Sequence, residues 1–235
     1  MEDRQIGIAI PTWQRSEMTI ECFYDVYKDE RVAEITIVDD ASEMDIYEDL
    51  KSMTDALPKV KLFRNEINLD CYRNKHRSIE LATSKWCCLW DSDNTFGVEY
   101  LNKLFEIKEW QDDTIYAPDF AMPTFDYQRY SGVEITRHNV ANYMGEPIFQ
   151  TCLNTMNLFI NRDNYLKVWD GSVDPVTSDS IYFNFKWLEA GFKIKIVDGL
   201  NYLHRIHDKS HYNSNSHRTP TGFHESILTK LRQLT

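Results

Sequence analysis

The stretch from Trp86 to Asp93 most constrains what this chain can fold into. Five apolar residues in a row, Trp86-Cys87-Cys88-Leu89-Trp90, predict a β-strand buried on both faces, because a half-exposed strand would alternate. Asp91 and Asp93 follow directly. In an open α/β sheet the ligand crevice lies outside the carboxyl ends of the strands, so we expect both acids to face it. A solvated turn is the simpler alternative for these residue types, and only the surrounding sequence favours a site.

The two acids also indicate which ligand such a crevice would take. Neighbouring carboxylates repel each other unless a cation lies close to them. Hard oxygen ligands suit Mg²⁺ or Mn²⁺, which commonly carry a diphosphate. The pattern therefore predicts a divalent-metal site after the strand.

Predicted strands and helices alternate through the first part of the chain. The strands cover residues 6–10, 34–38, 60–64 and 86–90, with helical patterns starting near residues 16, 43 and 72. This alternation is typical of a parallel sheet with right-handed crossovers. The second strand also ends on paired acids, Asp39 and Asp40. We expect an α/β fold, with a mostly parallel sheet flanked by helices in a single domain.

The second part of the chain is less regular. It contains predicted helices over residues 98–110, 179–190 and 225–234, and predicted strands over 114–117, 157–160 and 193–197. Ser178 is expected to cap the helix that begins at Asp179, and Gly191 to end it. Residues 118–150 have weak periodicity and predict no clear element.

Charge and composition exclude several classes of function. The 235 residues include 26 Lys and Arg against 37 Asp and Glu, a net charge of -11, which disfavours nucleic acid or an anionic membrane as partner. No apolar run approaches the roughly 20 residues needed to span a bilayer. Five cysteines, an odd number without metal-site spacing, favour a reducing compartment, and we expect a cytoplasmic protein.

Five segments, in order along the chain, carry a family resemblance. They are Ile8–Arg15, Ile37–Ser42, the spacing from Asn68 to Asp93, Ser178-Asp179, and Arg205-Ile206-His207-Asp208-Lys209-Ser210. Together they resemble the family 2 glycosyltransferases, enzymes of the Rossmann-like GT-A fold. The resemblance implies an α/β domain with a mixed, mostly parallel sheet. It also implies inverting transfer of a sugar from a nucleoside diphosphate, such as UDP, to a hydroxyl of a glycan or other acceptor, with Mn²⁺ or Mg²⁺.

The resemblance also implies roles for particular residues. Several of these residues would bind the nucleotide sugar. Asp39 and Asp40 would contact the nucleotide base, Asp91 and Ser92 would lie near the ribose, and Arg73 or Lys75 would supply a positive charge for the donor. Pro11, Thr12 and Arg15 would contribute from the loop after the first strand. Asp93 and His207 would hold the metal, and Asp179 would take the proton of the acceptor hydroxyl. Residues 1–97 would bind the donor, residues 98–212 the acceptor, and residues 213–235 would form a tail and helix.

The chain departs from the family pattern at two places. Asp70 occupies a position where the family often has Gly, and Asn74-Lys75-His76 occupies positions where it often has Ala-Arg-Asn. Either Arg73 or Lys75 could therefore supply the positive charge that contacts the donor. Ser178-Asp179 holds one carboxylate where the family commonly has two. Asp179 must then act alone.

Three alternatives remain open on the sequence. A sugar-1-phosphate nucleotidyltransferase has a similar sheet but needs a Gly-rich loop after the first strand, and Pro11–Arg15 contains no glycine. A non-catalytic carbohydrate-binding domain would have the same fold. His204, His207 and His211 have the spacing of a helical zinc site, although the flanking Gly199 and Asn213 favour a loop.

Overall fold

A nine-stranded mixed sheet forms the centre of the molecule. The computed structural model describes residues 4–154, 157–207, 210 and 215–235. Within them the strands are β1 (Ile6–Thr12), β2 (Val32–Asp39), β3 (Val60–Arg64), β4 (Trp86–Leu89), β5 (Thr114–Met122), β6 (Phe125–Asp126), β7 (Glu134–Ile135), β8 (Leu158–Asn161) and β9 (Lys193–Leu203). Their order across the sheet is β3-β2-β1-β4-β8-β5-β9-β7, and β6 pairs with β5.

Helices cover the sheet. Within the described residues they are α1 (Ser16–Phe23), α2 (Met44–Thr54), α3 (Cys71–Leu81), α4 (Val98–Glu106), α5 (Pro147–Asn154), α6 (Arg162–Val168), α7 (Asp179–Glu189) and α8 (Phe223–Gln233). Helix α7 ends before Gly191, which adopts φ +86 as the left-handed residue after a helix, as expected from the sequence. No helix of the described residues is long and apolar enough to cross a bilayer.

The first half of the sheet has the parallel arrangement that the sequence predicts. Strand β1 pairs in parallel with β2 and β4, and β2 pairs in parallel with β3. Every residue of β1 and β4 is buried, which confirms the interpretation of Trp86–Leu89 as a strand covered on both faces. The carboxyl ends of these strands therefore meet at one edge of the sheet.

Antiparallel strands enter beyond β4 and make the sheet mixed. Strand β8 runs antiparallel to both β4 and β5, while β5 and β9 are parallel. The expected single α/β domain, with a mixed and mostly parallel sheet flanked by helices, is confirmed by this architecture. Helices α5 and α6 were not predicted, and β5 and β9 extend well beyond the predicted residues 114–117 and 193–197.

One local prediction is wrong. Ser178 precedes α7, but its side chain makes no capping hydrogen bond to that helix. Its hydroxyl instead lies 3.0 Å from Nδ1 of His224 in α8. A partner 46 positions away in the sequence has displaced the local backbone contact.

Candidate functional site

A cleft of about 1320 Å³ opens at the carboxyl ends of β1, β2 and β4. Its volume exceeds the roughly 300–1,000 Å³ of common small-molecule pockets, so it has room for more than one ligand. The lining comes from Pro11–Arg15, Asp40–Glu43, the start of α3, Asp91–Asp93, Phe125, the 147–154 and 177–180 segments, Tyr202–Ile206 and parts of residues 210–224.

The cleft brings together most of the residues that the sequence selected. Pro11, Thr12, Arg15, Asp40, Lys75, Asp91, Ser92, Asp93 and Asp179 all line it. Arg73 is exposed on α3 and lies outside the lining, as does the buried Asp39. His207 also lies outside the lining but contacts Asp93.

Asp93 is held by one cation and one imidazole. Arg15 Nη1 donates to Asp93 Oδ2 at 2.7 Å, and His207 Nε2 lies 3.0 Å from the same oxygen. The side chain of Asp93 is 12% exposed. The carboxylate of Asp93, in the turn after β4, is therefore contacted by two other segments. These are the loop after β1 and the segment after β9.

A second cluster joins two carboxylates through Lys75. Its ammonium lies 2.9 Å from Asp179 Oδ2 and 3.2 Å from Asp91 Oδ1. Burial alone would lower the pKa of Lys75, but the charges of Asp179 and Asp91 raise that pKa well above its usual value. Burial raises the pKa of Asp91, an effect that Lys75 opposes and that Asp93 and Asp179 strengthen. Lys75 is therefore a fixed positive charge in the cleft.

Helical spacing explains why Lys75 and not Arg73 faces the cleft. Cys71, Lys75 and Ile79 are four residues apart, so they share the face of α3 that packs against the protein. Cys71 Sγ and Lys75 Nζ both contact Asp179 Oδ2, at 3.7 and 2.9 Å. Arg73 lies on another face of the helix and is exposed.

The paired acids after β2 differ in their surroundings. Asp39 is buried and accepts hydrogen bonds from Arg64 Nη1 at 2.6 Å and from the backbone and hydroxyl of Ser42. Asp40 accepts from Asn65 Nδ2 and from the backbone N–H of Leu69, both at 2.8 Å. Burial raises the pKa of Asp40, although these donors oppose the shift. Of the two carboxylates, Asp40 is the one that lines the cleft.

Two buried asparagines, neither of which was predicted from the sequence to have a role, support the acidic turn. Asn157 Oδ1 accepts from the backbone N–H of Asp91 at 2.7 Å. Asn94 Oδ1 accepts from the backbone N–H of Arg205 at 3.1 Å, which ties the turn to the segment that carries His207. Asparagines next to a strand or turn carry no local signal of such contacts, because their partners are distant in sequence.

The residues after 214 form another wall that the sequence did not predict. Thr219 and Thr177 share a hydroxyl contact at 2.7 Å, and Arg218 Nη2 donates to Asp70 Oδ2 at 2.5 Å. With the contact between Ser178 and His224, these bonds join the C-terminal segment to both α3 and the start of α7. The tail therefore closes one side of the cleft beside Asp179.

The donor set fits a metal held partly by the substrate. Within the described residues, no three His, Cys, Asp or Glu side chains are grouped closely enough to hold a metal. Asp93 and His207 supply an oxygen and a nitrogen that meet at 3.0 Å. Magnesium sites in nucleotide enzymes commonly use one or two carboxylates plus substrate phosphates and water. Two protein ligands are therefore enough for a metal that arrives with a diphosphate.

His204 and His207 do not lie on a helix. His204 follows β9, and His204 and His207 lie in an irregular segment, as the flanking residues predicted. His211 lies outside the described residues, and so do Asp208 and Lys209 of the Arg205–Ser210 motif. No group of zinc ligands includes His204 and His207 within the described part of the chain.

Sequence comparison matches the chain to the model of glycosyl transferase family 2 over residues 7–190. The chain belongs to glycosyl transferase family 2. The match includes the strand β4 and its acidic turn, the helix α3 that carries Lys75, and the whole of α7. The segment that carries His207 and the C-terminal wall of the cleft both follow the matched region. No curated protein matches the sequence of this family member.

Solved structures with a similar fold include a fragment of S. aureus TarS and a mannosyltransferase, and they confirm the expected GT-A fold. A fragment of S. aureus TarS, residues 1–349, is 14% identical, with a TM-score of 0.67 over 97% of this chain and 70% of that one. The same fragment in complex with UDP-GlcNAc is 13% identical, with a TM-score of 0.66 over 89% and 61%. The mannosyltransferase PcManGT from Pyrobaculum calidifontis, in complex with GDP-Man and Mn²⁺, is 12% identical, with a TM-score of 0.64 over 98% and 69%. At these identities the likeness establishes the fold.

Proposed function

We propose that this protein is an inverting, metal-dependent glycosyltransferase that moves a sugar from a nucleoside diphosphate to a hydroxyl acceptor. One observation carries the proposal: Asp93, in contact with His207, and Asp179, paired with Lys75, line or border the same cleft at the strand ends. Transfer of the sugar in one displacement step needs a metal site for the leaving diphosphate and a base for the acceptor hydroxyl. These two groups of residues would supply them.

The donor side of the cleft has the groups that a nucleotide requires. Asp40 can accept a hydrogen bond from a base N–H, and the loop at Pro11 and Thr12 can close over the ring. Asp91 and Ser92 would contact the ribose. The TarS fragment was crystallised with UDP-GlcNAc and PcManGT with GDP-Man, which supports a nucleotide sugar as donor here without choosing its base.

Asp93 and His207 would hold Mn²⁺ or Mg²⁺ on the diphosphate. The bound metal would neutralise the leaving diphosphate as a Lewis acid. PcManGT was solved in complex with GDP-Man and Mn²⁺, which supports the choice of metal. Arg15, which donates to Asp93, adds a positive charge on the same side of the cleft.

Asp179 would act as the general base. An acceptor hydroxyl is too weakly acidic to attack unaided, so a carboxylate takes its proton as the new bond forms to the sugar C1. The bond from C1 to the diphosphate oxygen breaks on the opposite face, which inverts the anomeric centre. Phe125, Gln150 and Asn154 line the cleft from the half of the chain proposed for the acceptor. In this proposal residues 1–97 bind the donor and residues 98–212 the acceptor.

A panel of nucleotide sugars tests the function. Thermal-shift measurements with and without Mn²⁺ should find a UDP- or GDP-sugar that stabilises the protein only with the metal. That donor should then be offered to simple glycan acceptors, with the product's anomeric configuration read by NMR. Asp163→Asn, at an exposed surface position outside the cleft, serves as the matched control for acidic-site variants.

The outcomes separate the candidate functions. A transferred sugar with inverted configuration supports the proposal, whereas a retained configuration contradicts it. Formation of a nucleotide sugar from a nucleoside triphosphate and a sugar 1-phosphate would support a nucleotidyltransferase instead. Glycan binding without any metal-dependent donor binding would favour a non-catalytic domain.

A further inference from the structure

Lys75 is the only lysine among the described residues that line the cleft, and it is almost completely buried. Its ammonium contacts carboxylates from two distant elements, Asp91 in the turn after β4 and Asp179 at the start of α7. The residues of the second pair are 104 positions apart in the sequence. This single side chain therefore connects the donor side of the cleft to the candidate base.

The contacts of Lys75 leave it poorly suited to bind a phosphate. An ammonium has three N–H donors, and two of them are directed at Asp179 Oδ2 and Asp91 Oδ1. A donor phosphate that took this charge would leave two carboxylates facing each other in a buried place, which is costly. The pairing of Lys75 with Asp91 and Asp179 therefore favours a role for Lys75 in holding these two side chains, and not in binding a phosphate.

Without Lys75, the position of Asp179 would change. The carboxylates of Asp91 and Asp179 lie within hydrogen-bonding distance of one nitrogen, so they would repel each other if that nitrogen were removed. Cys71 Sγ contacts the same oxygen of Asp179 at 3.7 Å, but a thiol is only a weak donor and carries no charge. A general base must stay within hydrogen-bond reach of the proton that it takes.

We propose that Lys75 is a positioning residue that holds the carboxylate of Asp179 in place for proton abstraction and couples it to Asp91. This inference rests on the proposed function, because it assumes that Asp179 is the base. In this proposal Lys75 of α3 interacts with the candidate base and not with the diphosphate of the donor. Lys75 acts through Asp179, so its removal changes turnover much more than donor binding.

The experiment compares Lys75→Met with Lys75→Arg. The methionine variant keeps much of the side-chain volume and removes the charge. We expect kcat to fall by about tenfold to a hundredfold, less than the roughly 10²–10⁴-fold cost of losing the general base itself, because Asp179 is still present but displaced. The KM for the nucleotide sugar and its calorimetric Kd with Mn²⁺ should change less than about threefold. Lys75→Arg retains a cation and should recover at least about tenfold of the lost kcat. Lys85→Met, at an exposed ion pair outside the cleft, is the control for loss of a lysine charge and should leave both parameters unchanged.

A double-mutant cycle makes the inference specific. If Lys75 acts only through Asp179, adding Lys75→Met to Asp179→Asn should cost little further activity, because the group that Lys75 positions has lost its charge. The double variant also removes the repulsion between the carboxylates, so it remains informative even if Lys75→Met alone folds poorly. Additive losses in kcat would overturn the inference.

Two further results would overturn it in different ways. A more than tenfold rise in donor Kd for Lys75→Met, with kcat preserved, would make Lys75 a donor contact. A full loss of transfer in Asp179→Asn with none in Lys75→Met would reject the positioning role and leave the base assignment intact. Near-normal transfer by Asp179→Asn would instead reject the proposed base itself.

Discussion

Asp93 Oδ2 and His207 Nε2 lie 3.0 Å apart, although 114 residues separate them in the chain. The contact depends on the course of β9, which ends at Leu203 and delivers the following segment to the acidic turn. The backbone N–H of Thr95 donates to Leu203 O at 3.1 Å, and Asn94 accepts from Arg205. The turn after β4 and the histidine segment therefore form one supported unit.

Asp93→Asn tests the metal site. The amide keeps the shape but is a much weaker ligand than a carboxylate, so we expect calorimetric affinity for UDP or GDP with Mn²⁺ to fall at least about tenfold. Affinity without metal should change much less. Unchanged Mn²⁺-dependent affinity, with Asp163→Asn as the control, would remove Asp93 from the site.

His207→Ala and His204→Ala separate two neighbouring imidazoles. Of the two imidazoles, His207 is the one that contacts Asp93 Oδ2. Its removal should therefore weaken Mn²⁺-dependent donor binding and lower turnover by about tenfold or more, at least as much as the loss of a partner that orients a metal ligand. His204→Ala should have a clearly smaller effect. Equal losses from both variants, together with zinc found by elemental analysis, would point to a shared zinc site.

Asp179→Asn tests the general base. Loss of a general base costs typically about 10²–10⁴-fold in rate, and we expect at least a hundredfold fall in kcat. Donor affinity with Mn²⁺ should remain near normal, because the proposed role of Asp179 is toward the acceptor hydroxyl and not toward the nucleotide. The measurements are single-turnover transfer and calorimetry. Loss of donor binding would show that Asp179 shapes the nucleotide pocket, and near-normal transfer would direct attention to Asp126, Glu146 or Asp174.

Glu34 should make stability depend on pH. This buried carboxylate accepts from Lys61 Nζ at 2.7 Å and from the backbone and hydroxyl groups of Thr83 and Ser84. Burial by itself would raise the pKa of Glu34, but these donors lower it from 4.5 to about 2. The unfolded chain therefore binds the proton more readily, and the stabilisation is complete above about pH 4.5 and is lost as the pH falls to about 2.

Urea unfolding between pH 5 and pH 2 measures this contribution. A shift of this size corresponds to about 3 kcal/mol in the free energy of unfolding. Glu34→Gln should reduce the loss of stability across that range by a similar amount, whereas Glu48→Gln, at an exposed position, should not. Identical pH dependence in the wild type and Glu34→Gln would show that the carboxylate is not stabilised as its contacts imply.

The sequence predicted the first half of the fold well because its signals are local. Apolar runs of strand length, each followed by a helical pattern, identify β1 to β4 and their parallel order. Helices α5 and α6 were missed because Pro147–Asn154 and Arg162–Val168 are short, and the packing of their neighbours supplies the support that periodicity alone does not. The extension of β9 to Leu203 likewise depends on pairing with β5.

Site residues could be predicted from the sequence only where the residue type suggests a chemical role and its position in a predicted element suggests that it faces the cleft. The acids at strand ends meet this condition, because sheet geometry brings those ends together. Helical spacing could also have decided between the two cations, since Lys75 shares a face with Ile79 and Arg73 does not. The contacts of His224 and Arg218 could not have been found, because they join segments that no local pattern connects.

The position of β9 also sets the order in which a newly made chain can become active. This strand lies inside the sheet, between β5 and β7, although it is the last in sequence among the strands of the described residues. A ribosome-bound chain can therefore pair β1 to β4 while the edge of β5 is still open to other chains. The segment that carries His207 and the C-terminal side of the cleft cannot form before residues 193–224 have emerged, so the nascent chain passes through a stage in which Asp93 lacks its contact with His207.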